Sequence, residues 1–137
     1  MFSVSAKGVY GLTAMVELAT KWNLGSTQIR DLAKPHGIPQ HYLEQILVTL
    51  KKAGLVESYR GAQGGYALAR DPGQITVLEV LSSLEGRLEI VPENECAKSL
   101  DFFWQDISTT IGTELQITLD ELVSERQKHE EQLTYSI

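Results

Sequence analysis

The stretch "KPHGIP", residues 34 to 39, separates two apolar periods that both have helical spacing. Before it, Ile29, Leu32 and Ala33 fall at i, i+3 and i+4; after it, Leu43, Ile46, Leu47 and Leu50 fall at i, i+3, i+4 and i+7. Pro35 disfavours helical geometry in Lys34, Gly37 turns the chain at little steric cost, and Pro39 lacks an N–H that the first turn of a helix leaves unpaired anyway. A short helix from Thr27, a sharp turn and a helix from near Pro39 follow: a helix-turn-helix unit.

The flanks extend this unit. From Ser5, a plausible N-cap, Val9, Leu12, Val16 and Ala19 stack on one face of a helix running to about Asn23. "KKAGLV" closes the later helix with Lys51 and Lys52 at the negative end of its dipole and Gly54 as its cap. Two extended runs, Leu55 to Arg60 and Tyr66 to Arg70, then flank a glycine-rich tip and form a hairpin. "TVLE" at Thr76 to Glu79 is a capping box opening a helix carried by Val77, Val80, Leu81 and Leu84. The acidic segment Glu85 to Glu95 has no apolar period and reads as a solvated connector.

Beyond it, Leu100, Phe103, Trp104, Ile107 and Ile111 line a longer helix from about Ala97, with Phe102 on nearly the opposite side. Apolar residues on more than one face call for a partner chain. "TLDE" at Thr118 to Glu121 caps a last helix through Leu122 and Val123, and the polar run after Ser124 is expected to fray. The expected fold is mainly α with a small β-hairpin: a winged helix-turn-helix domain (1–84), a connector and possible sensor loop (85–96), and a dimerisation helix with a C-terminal tail (97–137).

Charge agrees with that division. Residues 1–70 carry eight Lys and Arg against four Asp and Glu, +4, whereas residues 71–137 carry four against fourteen, −10. A basic front suits a polyanion such as double-stranded DNA. On the helix from Pro39, the inward apolar stripe leaves His41, Gln45, Thr49 and Lys52 outward with Gln40 and Glu44 on the flank, groups able to meet base edges or phosphate. Tyr42 is counted with this set for its position, although its ring, like those of Tyr10 and Trp22, reads as packing.

The glycine-rich tip "RGAQGGYALAR" is not a phosphate cradle, because Gly65 is followed by Tyr66 and an alternating run instead of Lys and Ser or Thr. Gly61, Gly64 and Gly65 make a slim tip beside Arg60, which suits either a structural hairpin or an arginine offered to a minor groove. The DNA-contacting set is completed by Thr27 and Gln28 at the first helix of the motif, Pro39 at the start of the second, and Gln63 in the tip.

Taken together, "SAKGVYGLTAMVELA", "GIPQHYLEQILVTLKKAGLVESYRGAQGGYALAR", "QITVLEV" and "FFWQDISTTIGTELQITLDELV" closely resemble the Rrf2 family of bacterial transcriptional regulators. The resemblance implies a homodimer paired through the long C-terminal helix, with the helix from Pro39 in the major groove, the wing around Arg60 at the minor groove, and a partly palindromic operator. It also implies three closely spaced cysteines holding an iron-sulfur cluster, and here the chain departs from the family. Only Cys96 is present, and Ser99 stands where the cluster-holding regulator of the family has a histidine.

Three roles remain open to Cys96: an inert thiol, a ligand in an iron-sulfur cluster shared across the dimer, or a redox-sensing thiol. His36, His41 and His129 have no metal-ligand spacing, and nothing local pairs Cys96 with a base, so no enzyme is expected. No apolar run of membrane-spanning length and no signal-peptide pattern occurs, which points to a cytoplasmic protein. The competing reading is a winged-helix module that binds a partner protein through its acidic half.

Overall fold

The computed structural model describes residues 3–91 and 98–135. Its first helix, α1 (Ala6–Thr20), buries Gly8, Gly11, Ala14, Met15 and Leu18, with Val16 and Ala19 also inside. Val9, placed inward by the aliphatic spacing, is exposed, so the buried face is rotated by about one residue, or roughly 100°. Small residues decide this. A Cβ on Gly11 would meet the side chains of Leu84 and Ile46, so glycine lets α1 approach α4 (Val77–Glu85) closely. Ser5 occupies the N-cap, but the capping oxygen comes from Glu85, which accepts from the Ser5 hydroxyl, from Ser5 N at 3.0 Å and from Gly8 N at 3.1 Å.

Helix α2 (Ile29–Ala33) is shorter than its expected start at Thr27 and tightens into a 3-10 turn over Lys34–His36, after which Gly37 takes φ +63°. Helix α3 (Gln40–Lys52) buries Leu43, Ile46, Leu47 and Leu50, as the spacing predicts. Strands β1 (Val56–Tyr59) and β2 (Gly65–Leu68) pair antiparallel from Val56↔Leu68 to Tyr59↔Gly65. In α4, Thr76 accepts from Glu79 N at 3.1 Å, which is one half of the capping box. The Glu79 carboxylate instead takes Arg70, at 2.6 Å.

The C-terminal third differs most from expectation. Lys98 to Leu100 precede α5 (Asp101–Glu114), whose residues are all at least partly exposed, with Leu100, Phe102, Phe103 and Trp104 prominent. The chain then returns to the first domain: Thr118 bridges Thr76, Val77 N donates to Ile117 O at 2.9 Å and Leu119 N to Ile75 O at 2.9 Å. Leu119, 0% exposed, joins the core of α1, α3 and α4, and Leu122 and Val123 pack against it.

Helix α6 (Leu119–Tyr135) runs through the polar stretch expected to fray. Arg126 pairs with Glu17 of α1 at 2.5 Å, and the pairs Arg126–Glu130 (4.0 Å) and Glu125–Lys128 (3.8 Å) lie along its surface, each worth about 0.2–0.5 kcal/mol. The expected 97–137 unit therefore divides: α5 stands off the core while α6 begins inside it. Cys96 and the rest of residues 92–97, including Ala97, lie outside the described residues.

Candidate nucleic-acid interface

Because Leu43, Ile46, Leu47 and Leu50 turn one side of α3 into the core, helical geometry presents His41, Glu44, Gln45 and Lys52 on the other. Gln40 and Pro39 are exposed at its N-terminal end, and Thr49 is half-buried on the flank with its hydroxyl 3.4 Å from Gln45 O. His41 and Gln45 lie within 3.5 Å through their side-chain nitrogens. Val48 also stands outward in the middle of this face, a residue the sequence reading passed over. Its signal was its spacing: three residues after Gln45 and seven after His41, it falls on the same surface. An exposed methyl-bearing side chain there suits contact with a thymine methyl.

Tyr42 does not join the face. It is half-buried against the core, its ring 5.9 Å from that of Tyr10 at 82°, an edge-to-face pair of packing residues. Thr27 is likewise withdrawn: it is buried, and its hydroxyl has no hydrogen-bond partner among the described residues. Gly64 is also buried. Tyr42 is thus partly, and Thr27 and Gly64 are wholly, withdrawn from the surface of the protein.

Thr27 serves instead through its backbone. Its N–H donates to Tyr66 O and its carbonyl accepts from Tyr66 N, both at 2.8 Å, so the entrance to the helix-turn-helix pairs with β2. The Ser26 hydroxyl donates to Gln63 O at 2.7 Å and the Gln28 amide to Ala62 O at 3.4 Å, extending this attachment to the tip. The wing is thus fixed to the helices it accompanies.

Two glycines allow that closeness. Gly65, at φ +149°, lies against the Thr27 carbonyl, where any Cβ would collide; Gly64 has no positive φ, but a Cβ there would sit 2.5 Å from Tyr59 O. Gly61 (φ +95°), Gln63 and Arg60 are exposed at the tip, and Arg60 has no ion-pair partner among the described residues. At the base, Lys51 donates to the Ser58 hydroxyl at 2.6 Å, joining the end of α3 to β1. The Tyr59 hydroxyl donates to Glu57 at 2.7 Å; that hydrogen bond, then the carboxylate charge and slight desolvation, raise the phenol pKa above its usual value.

The N-terminal end of α3 and the wing share one concavity, whose walls include both Gln40 and Arg60. A helix face of hydrogen-bonding groups beside a fixed, arginine-bearing hairpin is the form of a winged helix-turn-helix DNA reader. The Rrf2 family model, described as an iron-dependent transcriptional regulator, matches residues 4–125. The chain belongs to the Rrf2 family. It is 44% identical to the transcriptional regulator CymR of Bacillus subtilis over 98 residues, covering 69% of this chain and 71% of that one. It is 37% identical to the regulator IscR of Cronobacter sakazakii over 135 residues, covering 90% and 82%.

Among solved structures, CymR, the global cysteine regulator of B. subtilis, superposes with a TM-score of 0.81 at 38% identity, covering 91% of this chain and 98% of that chain. IscR of T. potens follows at 0.78 and 36%, covering 93% and 90%. This Rrf2 protein is accordingly a DNA-binding transcriptional regulator of the helix-turn-helix type and not an enzyme. No helix among the described residues is long and apolar enough to cross a membrane.

An iron-sulfur cluster does not fit one protomer. Such clusters are held by four cysteines, or by cysteines with histidine in place of some of them, and this chain has a single cysteine. Among the described residues, no three His, Cys, Asp or Glu side chains come together as a metal site.

Proposed function

We propose that this Rrf2 regulator acts in the cytoplasm as a homodimer that reads a partly palindromic operator, each protomer laying α3 in a major groove and its wing at the adjacent minor groove. The observation that carries this is the common concavity of Gln40 and Arg60, with the wing pinned by the paired backbones of Thr27 and Tyr66. Gln40, His41, Glu44 and Gln45 contribute selectivity at base edges, while Lys52 meets phosphate.

Anisotropy titration of duplexes selected from a random pool, at two salt concentrations, tests the reading. Arg60→Ala is expected to weaken binding by about 1–3 kcal/mol, by an amount that varies with minor-groove sequence. Unchanged affinity on every duplex would remove the wing from recognition.

The dimer rests on α5. Leu100, Phe103, Trp104, Ile107 and Ile111 form one stripe, and the helix buries no residue against its own chain. Two-fold pairing along it would set two readers on one face of the duplex. Ile107→Asp would place a charge in that stripe. The variant should sediment as a folded monomer and lose roughly 100-fold in operator affinity, the scale of joining two binding modules. A dimer of unchanged affinity would contradict pairing through α5.

Any iron-sulfur cluster would have to bridge this dimer, with one Cys96 from each chain and carboxylate or histidine ligands completing it. The DNA reading described above requires no such cluster.

A further inference from the structure

A protein that inserts α3 into a major groove and its wing into the neighbouring minor groove must straddle the sugar-phosphate strand that separates them. In this chain the place for that strand is the cleft of about 420 Å³ between α2, the start of α3 and the wing, whose walls include Gln28, Arg30, Gln40, Ser58, Arg60 and Gly61. Arg30 is the cation on the helical side. Its side chain is 72% exposed, and its one ion pair among the described residues is with the adjacent Asp31, at 4.0 Å between two exposed groups. An exposed pair of that length has little hold on the guanidinium, whereas a phosphate offers two oxygens to its planar fork.

We infer that this cleft is a phosphate saddle and that Arg30 is a DNA-backbone clamp, closing on the straddled strand from the side opposite Arg60. The inference rests on the DNA reading proposed above and adds a contact outside the recognition helix and the wing. The saddle is held open by the wing attachments: Ser26 and Gln28 hold the tip by its carbonyls, and Lys51 holds Ser58. Arg30 therefore faces a wall whose position is set before DNA arrives, which limits the ordering cost on binding. A phosphate contact carries no base information, so the clamp fixes register and orientation without altering sequence preference.

The test uses the full-length chain, the duplex it selects from a random pool, and a random duplex. Arg30→Gln should reduce affinity for both by the same factor, on the order of tenfold near physiological salt, and make the slope of log K against log salt shallower by about 1.8, about 0.9 for the one phosphate lost by each protomer of the dimer. Arg30→Lys should restore the slope with part of the affinity. A selected duplex with one neutral methylphosphonate at the straddled position of each half-site should bind wild type as weakly as the native duplex binds Arg30→Gln, and combining the two changes should add no further loss.

Wild-type affinity and slope in Arg30→Gln, alongside a weakened Arg60→Ala, would overturn the clamp and leave the DNA reading standing. Loss confined to the selected duplex with an unchanged slope would overturn it in favour of a base contact. Failure of wild type to bind any duplex at low salt would overturn the DNA reading itself, and the clamp with it. Arg30 is exposed, so matching urea midpoints for the variants check that folding is not the cause.

Discussion

Leu119→Ala should lower the stability of the full-length chain by about 2–5 kcal/mol, read as a fall in the urea midpoint with little change in m-value. Leu119 lies 42 residues beyond the start of α4 in the chain, yet it is fully buried among α1, α3 and α4. Truncating it removes the transfer free energy of its side chain and leaves a cavity that walls of regular helix fill only in part. Domains of this size have total stabilities of about 5–15 kcal/mol, so the loss is a large share. A change below about 0.5 kcal/mol would show that α6 merely rests on the DNA-binding unit. The neighbouring ladder, Leu119 N to Ile75 O and Val77 N to Ile117 O, both 2.9 Å, makes the site rigid and keeps the cavity open.

The second large effect is at the wing. Gly65→Ala puts a Cβ against the carbonyl of Thr27, a residue whose backbone two 2.8 Å hydrogen bonds with Tyr66 hold in place, and it does so at φ +149°, where L-residues are strained. Overpacking against backbone and strain at such a φ together cost about 2–3 kcal/mol. The chain can relieve this by detaching β2 from the Ser26–Gln28 segment. DNA affinity should then fall further than stability alone explains, with Arg60→Ala adding little in the detached background. Native urea midpoint and native affinity in Gly65→Ala would show that the wing needs no such attachment. Gly61→Ala, exposed with nothing within 4 Å of its Cβ, separates the collision from backbone strain alone.

Much of the reader was legible because its signals are local. The stripe Leu43, Ile46, Leu47, Leu50 and the break at Pro35 and Gly37 act within a few residues, so spacing alone orients α3 and exposes His41, Glu44 and Gln45. Val9 was misplaced because a count of aliphatic residues ignores Gly8 and Gly11, which pack by being small. Thr27 looks like a surface residue of a turn, and its burial accompanies a pairing with Tyr66, 39 positions away, that no local pattern encodes. Gly64 is enclosed by the backbone of its own hairpin, at Tyr59 O and Gly61 O. The polar end of α6 looked unstable because its anchor, Arg126 to Glu17, spans 109 positions.

The order of residues by itself determined the helix-turn-helix, the hairpin after it and the net positive charge of residues 1–70, since helical period, turn chemistry and charge are properties of neighbours along the chain. Tertiary structure alone decided that the wing is fixed to the entrance of α2, that α6 begins in the reader's core while α5 is left outside it, and that Arg30 and Arg60 face one cleft. Those outcomes depend on which distant surfaces come within van der Waals and hydrogen-bond reach, and that is settled only when the whole chain packs.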